Sequence, residues 1–431
     1  MKGKRKEGES FMRKSSTSWL IFAALAILLF VPNLCGAAET PGRTVTLMEC
    51  IALAEANHPS LEEARANLAV QQAKMVQVKS ENALKGTLSA GGSGRTGSDE
   101  SYSAAFSVSK LLTDSGKNAL ERKRQALSID SAAEGGREAL LALHKNVKDA
   151  YYGLLLALLK RDQAESAVQT YRKHLVQARG FYEAGARALF DVTKAEVDLS
   201  TGMITLVTAE KVLGTARAAL SRAVGVDLEE VRPATDFRPV QPLPEEDFAL
   251  VQALENRPDI RTSRLRSESG KLSVSVAAKG NAATVSLSGS SSLTGTDLPP
   301  DDTFSLSVNL SVPVFDGGLT KGRISEARAS LSAAEASERQ TVQTVRFEVR
   351  SSLLSVREAE ARISAAELLL RQAEENLILA EGRYETGVGS VLEVADATLA
   401  FTSAEVGLLQ ARADYSTSLA DLEKTLGGEF E

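Results

Sequence analysis

The sequence predicts a mainly α-helical protein with a small β part, built from two tandem repeats of one helix–strand–strand–long helix–helix unit. Three observations support this prediction. The second half of the 431-residue chain repeats short motifs of the first half at an offset of about 200 residues. Apolar residues recur at every seventh position along the long segments of each half. In shorter segments between them, apolar and small polar residues alternate with the period of two that is typical of strands.

The first 37 residues predict a secretory signal peptide. A basic start precedes an apolar run over Trp19–Val31, and 13 apolar residues are too few for a bilayer span, which needs about 20. Small residues follow, so we expect cleavage near Ala37 or Ala38 and export of the mature chain. Cys35 leaves an alternative open, lipidation at a lipoprotein cleavage site, although the two residues before it are larger than is usual there.

The charge balance excludes several function classes. The leader carries six basic and two acidic residues, so the formal charge of −6 for the whole chain leaves about −10 for the rest. An acidic chain without a basic stripe argues against a nucleic-acid partner. Two Cys and three scattered His are too few for a disulfide framework or a His/Cys metal site. We therefore expect no metal, and we expect no cofactor because no segment has a dinucleotide or phosphate-loop motif in the context that such a site needs.

The two halves carry their motifs in the same order. Asn57-His58-Pro59 returns as Asn256-Arg257-Pro258 at an offset of 199, and Tyr182-Glu183-Ala184-Gly185 returns as Tyr384-Glu385-Thr386-Gly387 at an offset of 202. A period this long indicates duplication of a whole unit. The predicted boundaries are a signal peptide over 1–37, a first repeat over 38–224, a Pro-rich linker over 225–245 and a second repeat over 246–431.

Each repeat is predicted to contain one long helix beside two shorter ones. A strict seven-residue period of large apolar residues, usually followed three residues later by Ala, indicates a left-handed coiled coil. The long helix of the first repeat covers 117–183, which is about 67 residues or on the order of 100 Å. The helices predicted over 189–224 and 47–84 are about half as long. Pro59 and Pro258 mark bends, because proline disfavours helix in the preceding residue.

The segments near 86–112 and 283–314 are each predicted to form two strands. Over Phe304–Val312 the even positions are apolar and the odd positions are Ser or Asn. Small polar residues opposite apolar ones over about 9 to 11 residues are typical of a transmembrane strand with lipid on one side and water on the other. Half of a soluble sandwich is the alternative, but a sandwich needs more strands than these four.

Four strands also predict an oligomer. They cannot close a barrel, and an open sheet edge cannot lie in lipid. Two copies would give eight strands, whose interior is filled by side chains, whereas three copies give twelve strands and a lumen. The Ser-rich faces favour the lumen.

The sequence predicts no catalytic site. Residues 92–97 fit the pattern G-x-G-x-x-G, but they lie between two strands with no helix after them, so a hairpin loop is favoured over a dinucleotide site. The functional candidates are instead at the turns between long and return helices. Asp191, Glu393 and Asp396 fall in the first turns of the return helices, where a carboxylate also simply stabilises the helix N-terminus.

Together these residues resemble the outer-membrane efflux proteins, the TolC-like trimeric channel-tunnels. The resemblance spans the mature chain and rests on the Asn-x-Pro motif in both halves, the duplicated order of elements and the segment Tyr384–Asp396. It implies a homotrimer with a twelve-stranded β-barrel in the outer membrane of a Gram-negative-type cell, continuous with an α-helical coiled-coil barrel in the periplasm. It also implies outer-membrane lipid, a periplasmic adaptor (a membrane fusion protein) and an inner-membrane pump as partners, and no enzymatic activity.

The resemblance assigns roles to the acidic candidates. It places Glu393 and Asp396 around the narrow periplasmic aperture, and it matches Asp191 with the acidic partner in the first repeat. Three copies of each would form stacked rings of carboxylates, which select cations.

The resemblance also implies a gate at the same turns. Tyr384 keeps the Tyr of the family's gate, and Tyr182 is its counterpart in the first repeat. Gly389 stands where the family has an Arg, which leaves Arg187 or Arg383 as candidates to replace it. We expect small rotations of the second turn to open the aperture. The turn glycines are Gly185, Gly387 and Gly389.

Two rival classes remain. One is a periplasmic adaptor, which needs a single coiled-coil hairpin and no amphipathic strands. The other is an exported enzyme or adhesin on a coiled-coil stalk, which needs a catalytic constellation or a globular head. Both fit the sequence less well than an exit duct of an efflux or type I secretion system. The cargo, whether drug, metal ion or polypeptide, stays open.

Overall fold

A computed structural model describes residues 44–94, 101–228, 231–296 and 300–429. The predicted signal peptide over 1–37, with Cys35, lies outside the described residues. The first repeat contains β1 (Thr44–Val45), α1 (Leu47–Asn57), α2 (Pro59–Ser80), β2 (Lys85–Ser93), β3 (Ser101–Thr113), α3 (Lys117–Glu183) and α4 (Leu189–Val224). The second contains β4 (Arg232–Pro233), α5 (Glu246–Asn256), α6 (Pro258–Ala278), β5 (Thr284–Gly295), β6 (Asp301–Ser311), α7 (Leu319–Glu385) and α8 (Val391–Leu426).

The mainly helical class with two tandem units is confirmed. The long helices α3 and α7 have 67 residues each, and the return helices α4 and α8 have 36 each. The bounds of α3 and α4 agree with the predicted ones. The helix predicted over 47–84 is divided at His58, and its second part ends at Ser80 because residues 81–84 turn into β2.

The apolar residues of the seven-residue pattern form the contacts between the helices. Along α7, Val349, Val356 and Ile363 are buried, as is the small companion Ala359. They form one apolar cluster with buried residues of α8, such as Leu419. Each long helix packs against its return helix and against the shorter helices of the same repeat. The heptads therefore stabilise the helices by packing.

The C-terminal ends of the return helices pack against the proline bends. His58, before Pro59, is extended with ψ of 128°. At the end of α4, Gly225 has φ of 79°, and a Cβ on it would lie 3.2 Å from the Cα of His58. In the second repeat, a Cβ on Gly427 would lie 2.9 Å from the carbonyl carbon of Asn256. Only glycine permits both the left-handed backbone and this close approach.

The longer strands of both repeats form one antiparallel sheet in the order β2-β3-β5-β6. Paired residues lie on the same face, so the register Ser107↔Ser290↔Ser305 defines a polar face. Phe106 and Leu306, on the alternate positions, define an apolar one. Strands β2 and β6 are the two edges of this sheet.

A buried ion cluster joins the two repeats. Lys148 Nζ of α3 lies 2.5 Å from Glu423 Oε2 of α8, and the two side chains are 7% and 6% exposed. Arg238 of the linker pairs with the other oxygen of Glu423. Nearby, the N–H of Thr235 donates to the Tyr151 hydroxyl at 2.9 Å. The linker is thus fixed to both repeats.

Candidate functional site: the paired helix turns

The two long helices end in turns of the same geometry. After α3, the N–H of Gly185 donates to the carbonyl oxygen of Tyr182 at 2.9 Å, and after α7 the N–H of Gly387 donates to that of Tyr384 at 3.1 Å. Gly185 and Gly387 have φ of 70° and 81°, a left-handed conformation that favours glycine. The repeated Tyr-x-x-Gly motif therefore ends the long helix in both repeats.

One arginine connects the first hairpin (α3 and α4) to the second hairpin (α7 and α8). Arg187, in the first turn, donates through Nη2 to the carbonyl oxygens of Tyr384 at 3.2 Å and Gly389 at 3.0 Å. Its Cζ also lies 4.8 Å from the centroid of the Tyr384 ring, which is within cation–π distance. Phe181 packs edge-on against the same ring, with 5.8 Å between centroids. Of the two predicted cations, Arg187 is the one that bridges the hairpins.

The turn leaves no room for a side chain at Gly389. A Cβ there would lie 2.9 Å from the Cβ of Arg383 and 3.0 Å from the backbone nitrogen of Tyr384. The Gly389 N–H donates to the carbonyl oxygen of Arg383 at 2.8 Å, which holds this close approach. An arginine at 389 would therefore need a different backbone path. Arg187 brings a guanidinium to the same turn from the neighbouring hairpin.

The predicted aperture carboxylates occupy two different environments. Asp191 in α4 is only 9% exposed, whereas Glu393 and Asp396 in α8 are exposed. Because they are three residues apart on a helix, Glu393 and Asp396 lie on one face. Arg383 Nε lies 3.2 Å from Glu393 Oε2, but both side chains are about half exposed, so this pair contributes little stability. The structure brings Glu393 and Asp396 together and leaves Asp191 buried in the first hairpin.

Tyr384 and its counterpart Tyr182 differ in their surroundings. Tyr384 is 6% exposed and Tyr182 is 45% exposed. Burial raises the pKa of the Tyr384 hydroxyl, the charge of Asp191 raises it further, and Arg187 opposes both effects. Within the described ranges this hydroxyl has no hydrogen-bond partner. The neutral phenol thus acts through its ring, as the surface on which Phe181 and Arg187 pack.

A cavity of about 300 Å³ lies between the two hairpins. Tyr171 and Asp198 of the first hairpin and Glu381 and Tyr384 of the second line it. His174 Nε2 lies 3.4 Å from Glu381 Oε1, which makes a further contact between the hairpins. Sequence reasoning missed the contact of His174 with Glu381 because these residues are about 200 positions apart and neither belongs to a repeated motif.

The predicted bends lie far from the turns. His144 Nε2 of α3 lies 2.6 Å from Glu55 Oε1 of α1, just before the bend at Pro59. Roughly 40 residues of continuous helix, or about 60 Å, separate His144 from the end of α3. Pro59, and Pro258 at the equivalent bend between α5 and α6, therefore shape the helices without contributing to the turn site.

Within the described ranges, no three His, Cys, Asp or Glu side chains are grouped so as to hold a metal ion. None of the helices in those ranges combines the length and apolar character needed to cross a membrane.

Several known proteins are similar to this chain. A probable efflux pump outer membrane protein, TtgC from Pseudomonas putida, is 24% identical over 352 residues, covering 78% of this chain and 71% of the relative. Outer membrane protein TolC from Escherichia coli is 23% identical over 348 residues, covering 75% and 69%. A membrane protein from Pseudomonas aeruginosa superposes with a TM-score of 0.79 at 21% identity, covering 89% and 90%. The open state of the MtrE outer membrane channel from Neisseria gonorrhoeae superposes with a TM-score of 0.76 at 20% identity, covering 89% of each chain.

These superpositions show that the solved structures share the fold of this chain, including its tandem helical repeats and its four-stranded sheet. The family profile described as outer membrane efflux protein matches residues 50–226 and 249–428. These two matches include both hairpins and both strand pairs. This chain therefore belongs to the outer membrane efflux protein family.

Proposed function

We propose that this chain is the outer-membrane exit duct of a tripartite efflux or type I secretion system. In this proposal a homotrimer passively conducts substrates from the periplasm to the outside when it is docked to a periplasmic adaptor and an inner-membrane pump. Family membership supports the class, as do relatives named as an efflux pump outer membrane protein and as TolC. The repeats over 38–224 and 246–431 would each supply one strand pair and one helical hairpin.

The sheet carries this proposal. On its apolar face, Phe304, Leu306, Val308 and Leu310 of β6 are between 66% and 77% exposed, as expected of side chains that contact lipid. Its edges, β2 and β6, each have one side without a strand partner in the described chain. An unpaired backbone group in lipid costs several kcal/mol. Pairing between copies removes these edges, and three copies give twelve strands with a lumen.

The paired turns would form the periplasmic aperture of this duct. Three copies of Glu393 and Asp396 around the axis make stacked carboxylate rings, which favour cations. The resemblance places an arginine at position 389. In this chain Arg187 replaces it, because Arg187 holds the second hairpin to the first. Opening then requires the separation of Arg187 from the carbonyl oxygens of Tyr384 and Gly389.

Planar-bilayer conductance of the detergent-extracted full chain tests the proposal, with the oligomer mass measured on the same sample. We expect a trimer with cation-selective single-channel currents. A detergent-independent monomer without conductance would overturn the proposal. That outcome would favour the alternative, a periplasmic adaptor or coiled-coil stalk without a pore.

A further inference from the structure

The polar face of the sheet has a uniform chemistry over several rows. Each row crosses all four strands, and its members are small residues, mostly with hydroxyl groups. One row is Thr87, Ser107, Ser290 and Ser305, and the next is Ser89, Ala105, Ser292 and Thr303. Within the face, Ser290 Oγ lies 2.8 Å from Ser305 Oγ. Such rows carry no charge and give a solute no electrostatic preference.

Among the described residues of the four strands, one basic residue shares this polar face. Lys85, the first residue of β2, pairs with Ser109, which pairs with Ser288, which pairs with Ser307. Paired residues point to the same side of a sheet, so the Lys85 side chain is on the hydroxyl face at the end nearest the helices. Lys85 is exposed, and no ion pair connects it to any residue that the structure describes.

Within the strands that the structure describes, the acid nearest to Lys85 on this face is too far away to neutralise it. Asp301 pairs with Thr294 at the loop end of the sheet. Along β6, six residues separate Asp301 from Ser307, the member of the Lys85 row, which is about 20 Å at 3.4 Å per residue. The screening length in 0.1 M salt is about 10 Å. The ammonium group of Lys85 and the carboxylate of Asp301 therefore act separately on solutes.

A second lysine provides a natural contrast. Lys110 follows Ser109 in β3, and successive residues of a strand point to opposite faces. Lys110 is thus on the apolar face with Val108 and Phe106, at the same end of the sheet as Lys85. The two lysines have the same charge and lie at nearly the same height along the strands, but they are on opposite faces of the sheet.

We propose that Lys85 is a specificity-determining residue of the pore. Three copies form a ring of ammonium groups at the helical end of the barrel lumen, which favours anions and opposes the cation preference of the acidic turns. This proposal rests on the proposed function, because it needs three copies and the polar face on the inside. The basic ring and the carboxylate rings lie at opposite ends of α3, on the order of 100 Å apart, so each acts on its own.

The test is the reversal potential of single trimers across a KCl gradient whose dilute side is about 0.1 M. The background variant carries Glu393→Gln and Asp396→Asn, which removes the cation preference of the turns. In this background we expect a weak anion preference, with Lys85→Gln changing the permeability ratio roughly twofold toward cations. Lys85→Glu should produce a clear cation preference. Lys110→Gln is the matched control and should leave the ratio unchanged.

The possible results distinguish a failure of the Lys85 ring from a failure of the proposed exit duct. If the unaltered chain gives no conductance, the exit duct and the Lys85 ring are both overturned. If the channel conducts but Lys85→Gln and Lys85→Glu leave the reversal potential unmoved, only the Lys85 ring is overturned. If Lys110→Gln moves the potential and Lys85→Gln does not, the polar face lies outside the lumen and the proposal is wrong.

Discussion

The guanidinium of Arg187 donates a hydrogen bond of 3.0 Å to the carbonyl oxygen of Gly389, which lies at the equivalent turn of the other repeat. This contact relates two hairpins that the sequence describes as copies of each other. It makes them unequal, because one turn supplies the cation and the other supplies the acceptor carbonyls. In the proposed aperture, the second hairpin is therefore the one that Arg187 holds, and we expect opening to separate it from Arg187.

Removing this contact should weaken the closed aperture. Arg187→Ala removes two charge-assisted hydrogen bonds and the cation–π contact with Tyr384, each worth on the order of 1 to 3 kcal/mol. We expect a higher closed-state conductance in single-channel recordings. Arg179→Ala is the control, because its exposed pair with Glu196 stays within the first hairpin. Equal conductance of Arg187→Ala and the unaltered chain would show that Arg187 does not hold the aperture closed.

The carboxylates of the second return helix should set the charge preference. Glu393→Gln with Asp396→Asn removes two exposed negative charges from each copy while keeping the side-chain size. Because selectivity in such pores follows rings of charged side chains, we expect the cation preference to fall. The measurement is the reversal potential in a salt gradient, with Glu358→Gln on the exposed surface of α7 as a control. An unchanged preference would place Glu393 and Asp396 outside the ion path.

Much of this architecture could be predicted because it follows short periods in the sequence. The seven-residue period predicted α3 and α4 with the bounds that the structure shows. The alternation of apolar and polar residues predicted the two faces of the sheet. The contact of Arg187 with Gly389 could not be predicted, because a long side chain selects its acceptor only after the hairpins have packed. The close approach of Gly225 to His58 likewise joins distant segments. The motif Asn57-His58-Pro59 was recognised as a repeat, but its sequence position does not show that Gly225 contacts it.

The space at Gly389 gives a stability prediction. Gly389→Ala would place a Cβ within 3.0 Å of the backbone of Tyr384 and Arg383, closer than real contacts, so we expect a lower apparent Tm and disturbed gating. Gly382→Ala is the matched control on the same hairpin. A Cβ at 382 meets nothing within 4 Å, and alanine in a helix interior is favoured by about 1 kcal/mol. A Gly389→Ala protein as stable as Gly382→Ala would contradict the close packing of this turn.

The buried ion cluster between the repeats should contribute far more to the stability of the protein than exposed ion pairs do. Glu423 faces both Lys148 and Arg238, and Glu423→Gln leaves the almost fully buried ammonium of Lys148 without its main partner. Breaking a buried pair from one side costs on the order of 3 to 5 kcal/mol, whereas an exposed pair is worth about 1 kcal/mol or less. We therefore expect Glu423→Gln to lower the apparent Tm strongly and Glu358→Gln, which breaks the exposed pair with Arg362, to leave it nearly unchanged. Similar Tm values for the two variants would mean that water or the exposed Glu429, 3.3 Å from Lys148 Nζ, compensates the lysine. In that case the linker would be fixed mainly by the Tyr151 hydroxyl and its neighbours, and Tyr151→Phe would become the variant that loosens it.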